Sequence, residues 1–323
     1  MLNDRGDMMS NDKTFKTYKE QKMILESRNL IFEHPRRDLR LLSQNNYYFL
    51  TGYKDLLLSN KNPEIYRDNA TFEELYNLYM FDKKLRMIFL DIILEIEQNV
   101  KTTIAYEVSK NHGNKTTSYT NKEHYDLTNK YVDDTIFKIK KQLSINGKKN
   151  VAIIHYKKNH GYVPLWVGVK ILTFGVMHNL YSILKPNEKD YVSKSLLTID
   201  ICKRRARTVN TYLQMLVDAR NMCAHDEIFF NFLHGSVKIP VTSFHNYFNL
   251  LTNRKGEIIQ GRKDLFALMI VIKHFVNRTR YKVFIKQINT LINRHMKHVN
   301  SYTKTELLVY MHLPEDFEKI GSI

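Results

Sequence analysis

Cysteine is almost absent from this chain: Cys202 and Cys223 are the only two, 21 positions apart and in no CxxC pair. That excludes a disulfide framework and a thiolate zinc centre. Six prolines and 11 glycines punctuate 323 residues, too few for the many tight turns of a sheet protein. No apolar run approaches the ~20 residues that a bilayer-spanning helix needs. The longest, Leu265 to Val276, is interrupted by Lys273 and His274. Met1 to Asp12 is polar and of mixed charge, without the apolar centre of a signal peptide. A flexible N-terminus over 1–13, a cytoplasmic location and no membrane partner are therefore expected. Acidic residues are also in deficit, 33 against 50 Lys and Arg, which leaves a net charge of +17. Such an excess points to a polyanionic partner, nucleic acid or an anionic lipid surface, or else to a scattered basic surface with no partner.

What remains is helical. Apolar residues recur at helical spacing over long windows, so the spacing predicts an all-α fold. Thr14 to Leu30 and Arg37 to Leu58 carry such patterns on either side of Glu33-His34-Pro35. Thr71-Phe72-Glu73-Glu74 reads as a capping box that opens a helix to about Leu78. A second, long helix is predicted from Asp82 to about Ser109, with Leu85, Phe89, Ile92, Ile96 and Val100 on its buried stripe. Lys110 to Asn129 is polar and reads as a loop. Shorter helices are predicted over Val132–Leu143, Val151–Asn159, Leu165–Leu184 and Lys189–Leu197, and a longer one over about Ile201–Ala224. Irregular chain around Gly235 to Gly256 precedes a last helical third, Arg262 to about Lys297.

The stretch richest in chemistry is Ala219-Arg220-Asn221-Met222-Cys223-Ala224-His225. At about 100° per residue, Asn221 and His225 lie only about 40° apart on the helix, and the long Arg220 side chain can reach the same cleft. Histidine exchanges protons near neutral pH, and arginine offers a permanent forked charge for phosphate oxygens. That is most of what RNA cleavage without a metal requires, because the 2′-hydroxyl is an internal nucleophile. The same pattern is also what a histidine capping a helix C-terminus looks like.

Four blocks in order extend the reading. Gln44-Asn45-Asn46-Tyr47-Tyr48-Phe49-Leu50-Thr51-Gly52-Tyr53 comes first, then Phe81-Asp82-Lys83-Lys84-Leu85-Arg86 with Glu95-Ile96-Glu97. Pro164-Leu165-Trp166 with Leu172-Thr173-Phe174-Gly175 is third, and the Arg-Asn…Ala-His block is fourth. Together they resemble the Abi-like (AbiD/AbiF) bacterial abortive-infection proteins over about residues 15 to 235. Lys101 departs from the family's usual arginine, keeping a charge and losing the fork. The resemblance implies a HEPN-type helical bundle, here with additional helices at both ends. It implies a domain over 14–250, beyond which a basic helical extension covers 256–323. It further implies a metal-independent endoribonuclease of the R-x4-H kind, with two motifs meeting in a homodimer and a structured small RNA as a possible cognate partner. No cofactor and no metal are expected. The alternative is an RNA-binding module without catalysis.

On this reading His225 moves protons, Arg220 holds the scissile phosphate and Asn221 orients one or the other. Glu97 either positions Arg220 or makes a buried ion pair that fixes helix packing. Asp226 either orients His225 or is solvated. Cys223 beside His225 invites comparison with a Cys-His nucleophile, but two residues apart on a helix they point in different directions, which favours a small buried hydrophobe. Tyr47, Tyr48 and Tyr53 could stack bases, although core packing accounts for them as well; Trp166 and Phe174 read as core. His295 and His298 lack a third metal ligand. Two basic zones are candidates for RNA: Lys203, Arg204, Arg205 and Arg207 at the start of the motif helix, and Arg278, Lys282 and Lys286 at four-residue spacing. The second lies in a stretch, Lys255 to Lys297, with ten Lys and Arg against two acidic residues.

Overall fold

The structure is a computed structural model that describes residues 14–199 and 204–323. Among these residues there are 14 α-helices and one two-stranded antiparallel sheet, so the fold is all-α in all but a hairpin. The expected flexible segment 1–13, Cys202 and Lys203 lie outside the described residues. Two compact units emerge.

The first comprises the described residues up to Met80 together with His298–Thr303. It contains α1 (Tyr18–Ser27), α2 (Pro35–Gln44), α3 (Tyr47–Thr51), the hairpin β1 (Leu58–Lys61) and β2 (Glu64–Tyr66), and the first turns of α4 (Phe72–His112). The capping box is present as predicted: Glu74 N–H donates to Thr71 Oγ1 at 3.1 Å, and Thr71 N–H to Glu74 Oε2 at 3.0 Å. The same Glu74 carboxylate accepts Ser301 N–H at 2.9 Å, so one side chain closes a helix end and pins a distant turn. Of the three tyrosines, Tyr53 is core, Tyr47 is half-buried and Tyr48 is exposed.

The second unit, Phe81–Lys297 and Lys304–Ile323, takes the rest of α4. It continues with α5 (Thr116–Tyr119), α6 (Val132–Ile145), α7 (Val151–His160), α8 (Leu165–Gly168), α9 (Phe174–Ile183), α10 (Pro186–Leu196) and α11 (Arg205–Ala224). The chain closes with α12 (Leu265–Lys273), α13 (Arg278–His295) and α14 (Lys304–Tyr310). Every residue of α12 is buried; a helix apolar on all sides belongs inside a bundle. It packs against α11 and α13, while α11 also packs against α9 and α10, and α6 against α9.

Several boundaries differ from the sequence expectation. No break separates Leu78 from Asp82, and α4 runs unbroken for 41 residues. Asp82 has the look of a helix cap, yet its carboxylate serves backbone far away in sequence. The segment Leu165–Leu184 divides because Thr173 caps a fresh start, accepting Val176 N–H at 3.4 Å. The last helical third divides likewise at Asn277, whose side chain accepts Arg280 N–H at 2.9 Å. Arg278, Lys282 and Lys286 therefore stand on a helix separate from the apolar α12. The stretch 110–129 is polar but packed: Tyr119 and Tyr125 are buried, with the Tyr119 hydroxyl donating to Val163 O at 2.8 Å. Trp166 is half exposed, whereas Phe174 is core.

Candidate functional site

Two helices of the second unit, α4 and α11, build the site. Glu97 on α4 is 6% exposed. Its Oε2 accepts from Arg220 Nε at 3.3 Å, and its Oε1 pairs with Lys101 Nζ at 2.7 Å. The carboxylate is thus held from both sides, and the residue that departs from the family pattern, Lys101, supplies one of them. Anchoring Arg220 through Nε leaves its two terminal nitrogens without a protein partner among the described residues. A planar fork fixed at its base and open at its tip suits two oxygens of one phosphate.

The end of α11 sets His225. It is the C-cap, its N–H donating to Asn221 O at 3.0 Å. Asp226 follows in the left-handed region at φ +62°, and Glu227 N–H returns to Met222 O at 3.4 Å. This is the Schellman closure, with aspartate where glycine is usual. The left-handed residue is secured from outside the helix: Asp226 Oδ1 is ion-paired with Arg86 Nη1. Asp226 is thus about half exposed and turned to Arg86. Arg86 is 4% exposed and also reaches Asp82 Oδ2 at 3.3 Å. Asp82 in turn accepts the N–H groups of Phe229 at 3.1 Å and Phe230 at 2.6 Å. The chain leaving the motif is thereby clamped to α4 through one buried carboxylate.

Asn221 and His225 are exposed, and neither side chain has a protein partner among the described residues. Cys223 is buried, and burial, reinforced by the charge of Asp82, pushes its thiol well above the ordinary range. Such a thiol holds its proton at neutral pH and is no nucleophile. Of the basic candidates, Arg204 and Arg207 are exposed, while Arg205 is paired with Asp190 at 3.0 Å. Arg278, Lys282 and Lys286 stand exposed on one face of α13, and Arg278 Nη2 donates to Ser322 O at 2.9 Å. His295 packs against Phe81 at 4.7 Å between ring centres. Among the described residues no group of three or more His, Cys, Asp or Glu could hold a metal ion, and no helix is long and apolar enough to cross a membrane.

A model of the Abi-like protein family matches residues 40–231, more than half of the chain. The chain belongs to this family. Abi-like proteins are associated with abortive infection, a phage-defence response. The match ends just past the motif segment and takes in Glu97, Arg86 and Asp82 on α4. No curated protein and no solved structure matches the chain.

Sequence reasoning named Arg220, Asn221, His225 and Glu97 as candidates but not the structural partners Asp82, Arg86, Asp218 and His234. His234 Nδ1 accepts Val237 N–H at 3.0 Å, so its Nε2 carries the proton and donates to Asp218 Oδ2 at 2.6 Å. This pair fastens the irregular segment after the motif back onto α11. The one available signal was a His and an Asp in the same neighbourhood of the sequence.

Proposed function

We propose that this Abi-like protein is a metal-independent endoribonuclease of the HEPN type, acting in the bacterial cytoplasm as a toxin-like effector of phage defence. The reaction is transphosphorylation. The 2′-oxygen bonds to the adjacent phosphorus, the bond from phosphorus to the 5′-oxygen breaks, and a 2′,3′-cyclic phosphate and a 5′-hydroxyl result. One proton leaves the 2′-hydroxyl and one reaches the 5′-oxygen, which is work for imidazole. Charge that accumulates on the phosphate oxygens falls to Arg220, with Asn221 as a hydrogen-bond donor beside it.

The observation that supports this best is the anchoring of Arg220 by Glu97, which leaves its fork unpaired among the described residues about one and a half turns before an exposed His225. A helix end serving only packing has no need of that arrangement. One chain offers one such histidine, whereas the reaction uses a base and an acid. Pairing two copies about a two-fold axis, motif to motif, supplies both. The RNA is held by the basic residues Lys203, Arg204, Arg205 and Arg207 and by Arg278, Lys282 and Lys286, and a structured small RNA is the expected cognate partner.

The test is a cleavage assay on purified wild type and His225→Ala, with melting followed by circular dichroism. His225 is exposed and its side chain has no partner among the described residues, so its loss is expected to change stability by less than about 0.5 kcal/mol while cleavage disappears. A chelator is expected to leave wild-type activity intact. Equal cleavage by His225→Ala, or activity lost to a chelator and restored by a divalent ion, overturns the proposal. RNA binding without cleavage by wild type indicates a non-catalytic RNA-binding module.

A further inference from the structure

Beside α11, on the side facing α6 and α9, the second unit carries two adjoining cavities of 710 and 450 Å³. They share Lys138, His178, Asn179 and Gln214 as wall residues, so they form one elongated depression. Nothing in the abortive-infection assignment or in the Arg220–His225 chemistry uses it.

Its lining has two kinds of chemistry. Lys138, Lys141, Lys189 and Arg207 are cationic, with Asp134 the one acidic residue of the lining among the described residues, and that acid is taken up by Lys138 at 2.7 Å. Lys141 and Arg207 have no ion-pair partner among the described residues. Lys189 sits half-buried, and burial pulls its ammonium below the ordinary lysine value, so a bound anion would restore it. Between the cations lie planar amides with hydrogen-bonding capacity to spare. Asn210 Oδ1 meets His178 Nε2 at 3.2 Å, which leaves its NH₂ open; Gln214 Nε2 donates to Asp218 at 2.9 Å, which leaves its Oε1 open. Asn179 makes no side-chain hydrogen bond among the described residues. Tyr131 at the rim is 55% exposed, with Lys130 Nζ 5.1 Å from its ring centre.

The direction of the depression follows from helix geometry. Asn210, Gln214, Val217, Asn221 and His225 fall at steps of 0, 4, 7, 11 and 15 along the chain, within about 80° of one another around α11. The groove wall, Asn221 and His225 therefore lie on one face of one helix, with Arg220 about 100° round from Asn221. Asn210 and His225 are separated by about 22 Å of helix axis at ~1.5 Å per residue, the length of roughly six stacked nucleotides at ~3.4 Å each.

We infer that this groove is the track for an unpaired stretch of RNA, with Lys141, Lys189 and Arg207 on its phosphates and Asn179, Asn210 and Gln214 on base edges, leading into the Arg220–His225 segment. Cations spaced with amides and an exposed aromatic ring are what single strands recognise. An open, elongated depression suits a strand rather than a mononucleotide. The binding claim stands on the groove alone; only the statement that the track ends at the cleavage point rests on the proposed ribonuclease activity.

The test uses the full chain and a fluorescent, unstructured pyrimidine RNA of about twelve nucleotides, made with 2′-O-methyl groups so that it cannot be cut through its 2′-oxygen. Binding is followed by anisotropy across a salt series. Lys141→Gln with Arg207→Gln is expected to weaken binding at least tenfold and to flatten the log–log salt slope by about 1.4, two contacts at roughly 0.7 each. Asn179→Ala with Gln214→Ala is expected to change the preference among base compositions and to leave the slope alone. Lys83→Gln with Lys84→Gln removes equal charge from exposed positions outside the groove and is expected to bind like wild type. Unchanged affinity in the first variant, equal weakening in the lysine control, or tighter binding of a mononucleotide than of the strand overturns the inference. If wild type binds the strand through the groove but does not cut its 2′-hydroxyl counterpart, the groove stands and the ribonuclease proposal falls.

Discussion

Glu97 and Arg220 are joined across 123 sequence positions by a single hydrogen bond from Nε, the one guanidinium N–H that can be tied down while both terminal nitrogens stay open. Glu97 is itself braced by Lys101 at 2.7 Å. On the proposed function Glu97 acts as a positioning residue, its carboxylate setting where Arg220 points. Arg220 is a third exposed and Lys101 partly so, hence water screens much of the pair.

Glu97→Gln is therefore expected to lower kcat of RNA cleavage about tenfold or more with little change in KM, while stability falls by about 1 kcal/mol in urea titrations. Arg220→Lys keeps a cation near Glu97 but loses the fork, and is expected to be as inactive as Arg220→Ala. Full activity in Arg220→Lys would show that a point charge suffices and that the fork has no role.

A harsher outcome is expected at Asp82. It is fully buried and accepts two backbone N–H groups as well as the contact from Arg86. In Asp82→Asn the amide NH₂ faces donors where an acceptor is required, and Arg86 keeps a buried charge with less compensation. The expected cost is about 3 kcal/mol, read as a lower urea midpoint. Because the clamp fixes the chain just after His225, cleavage is expected to fall in the fraction that remains folded. A variant as stable as wild type would mean that the Phe229–Phe230 backbone finds other partners.

The contrast between these two carboxylates shows what the sequence could and could not reveal. Glu97 belongs to a recognisable block, and its partner carries a recognisable motif, so their meeting was an open expectation. Asp82 belongs to the same block, but an aspartate ahead of an apolar periodic run is also how a helix start is written. The N–H donors it accepts from lie about 147 positions away, on backbone that has no side-chain signature. Asp226 was left open for a related reason: its ion pair depends on a left-handed backbone and on Arg86, 140 positions earlier. The capping box at Thr71 was legible because both partners lie within one turn. The groove was not, since its walls come from four helices, α6, α9, α10 and α11, with no local pattern in common.

Acid stability should report the buried histidines. His274 is 3% exposed, against Tyr212 at 5.3 Å and Phe244 at 5.6 Å between ring centres. Burial pushes its imidazole down to about 4, and the neighbouring Lys273 charge acts in the same direction. Unfolded, the group titrates near ~6.5. Between these values the unfolded chain binds a proton that the folded chain does not, so stability falls as pH falls from ~6.5 to about 4. The loss from this one group is at most about 3 kcal/mol, from ~1.36 kcal/mol per pH unit. His274→Phe keeps a ring among rings and removes the titration. Its urea midpoint is expected to depend on pH less steeply than that of wild type over this window. The residual slope falls to His178 and His245, both lowered chiefly by burial. Parallel slopes in the two proteins would mean that His274 is protonated in the folded state.

The basic face of α13 gives a separate reading of how RNA is held. Arg278, Lys282 and Lys286 are exposed at four-residue spacing, whereas Arg280 on the same helix is turned to Asp91 and Glu95 on α4. Three exposed cations in a row without acidic partners among the described residues favour a phosphate backbone, but they do not read bases. Replacing all three by Gln is expected to weaken binding of RNA and to flatten the log–log salt slope by about two units, at roughly 0.7 per phosphate contact on a single strand. Base preference is expected to stay as in wild type, because the groove amides are untouched. Folding should change little, since exposed charges contribute under about 1 kcal/mol each. Unchanged affinity and slope in this variant would remove α13 from the RNA surface. The +17 charge would then act through the α6–α9–α11 groove and the start of α11, and α13 would serve packing or dimer formation instead.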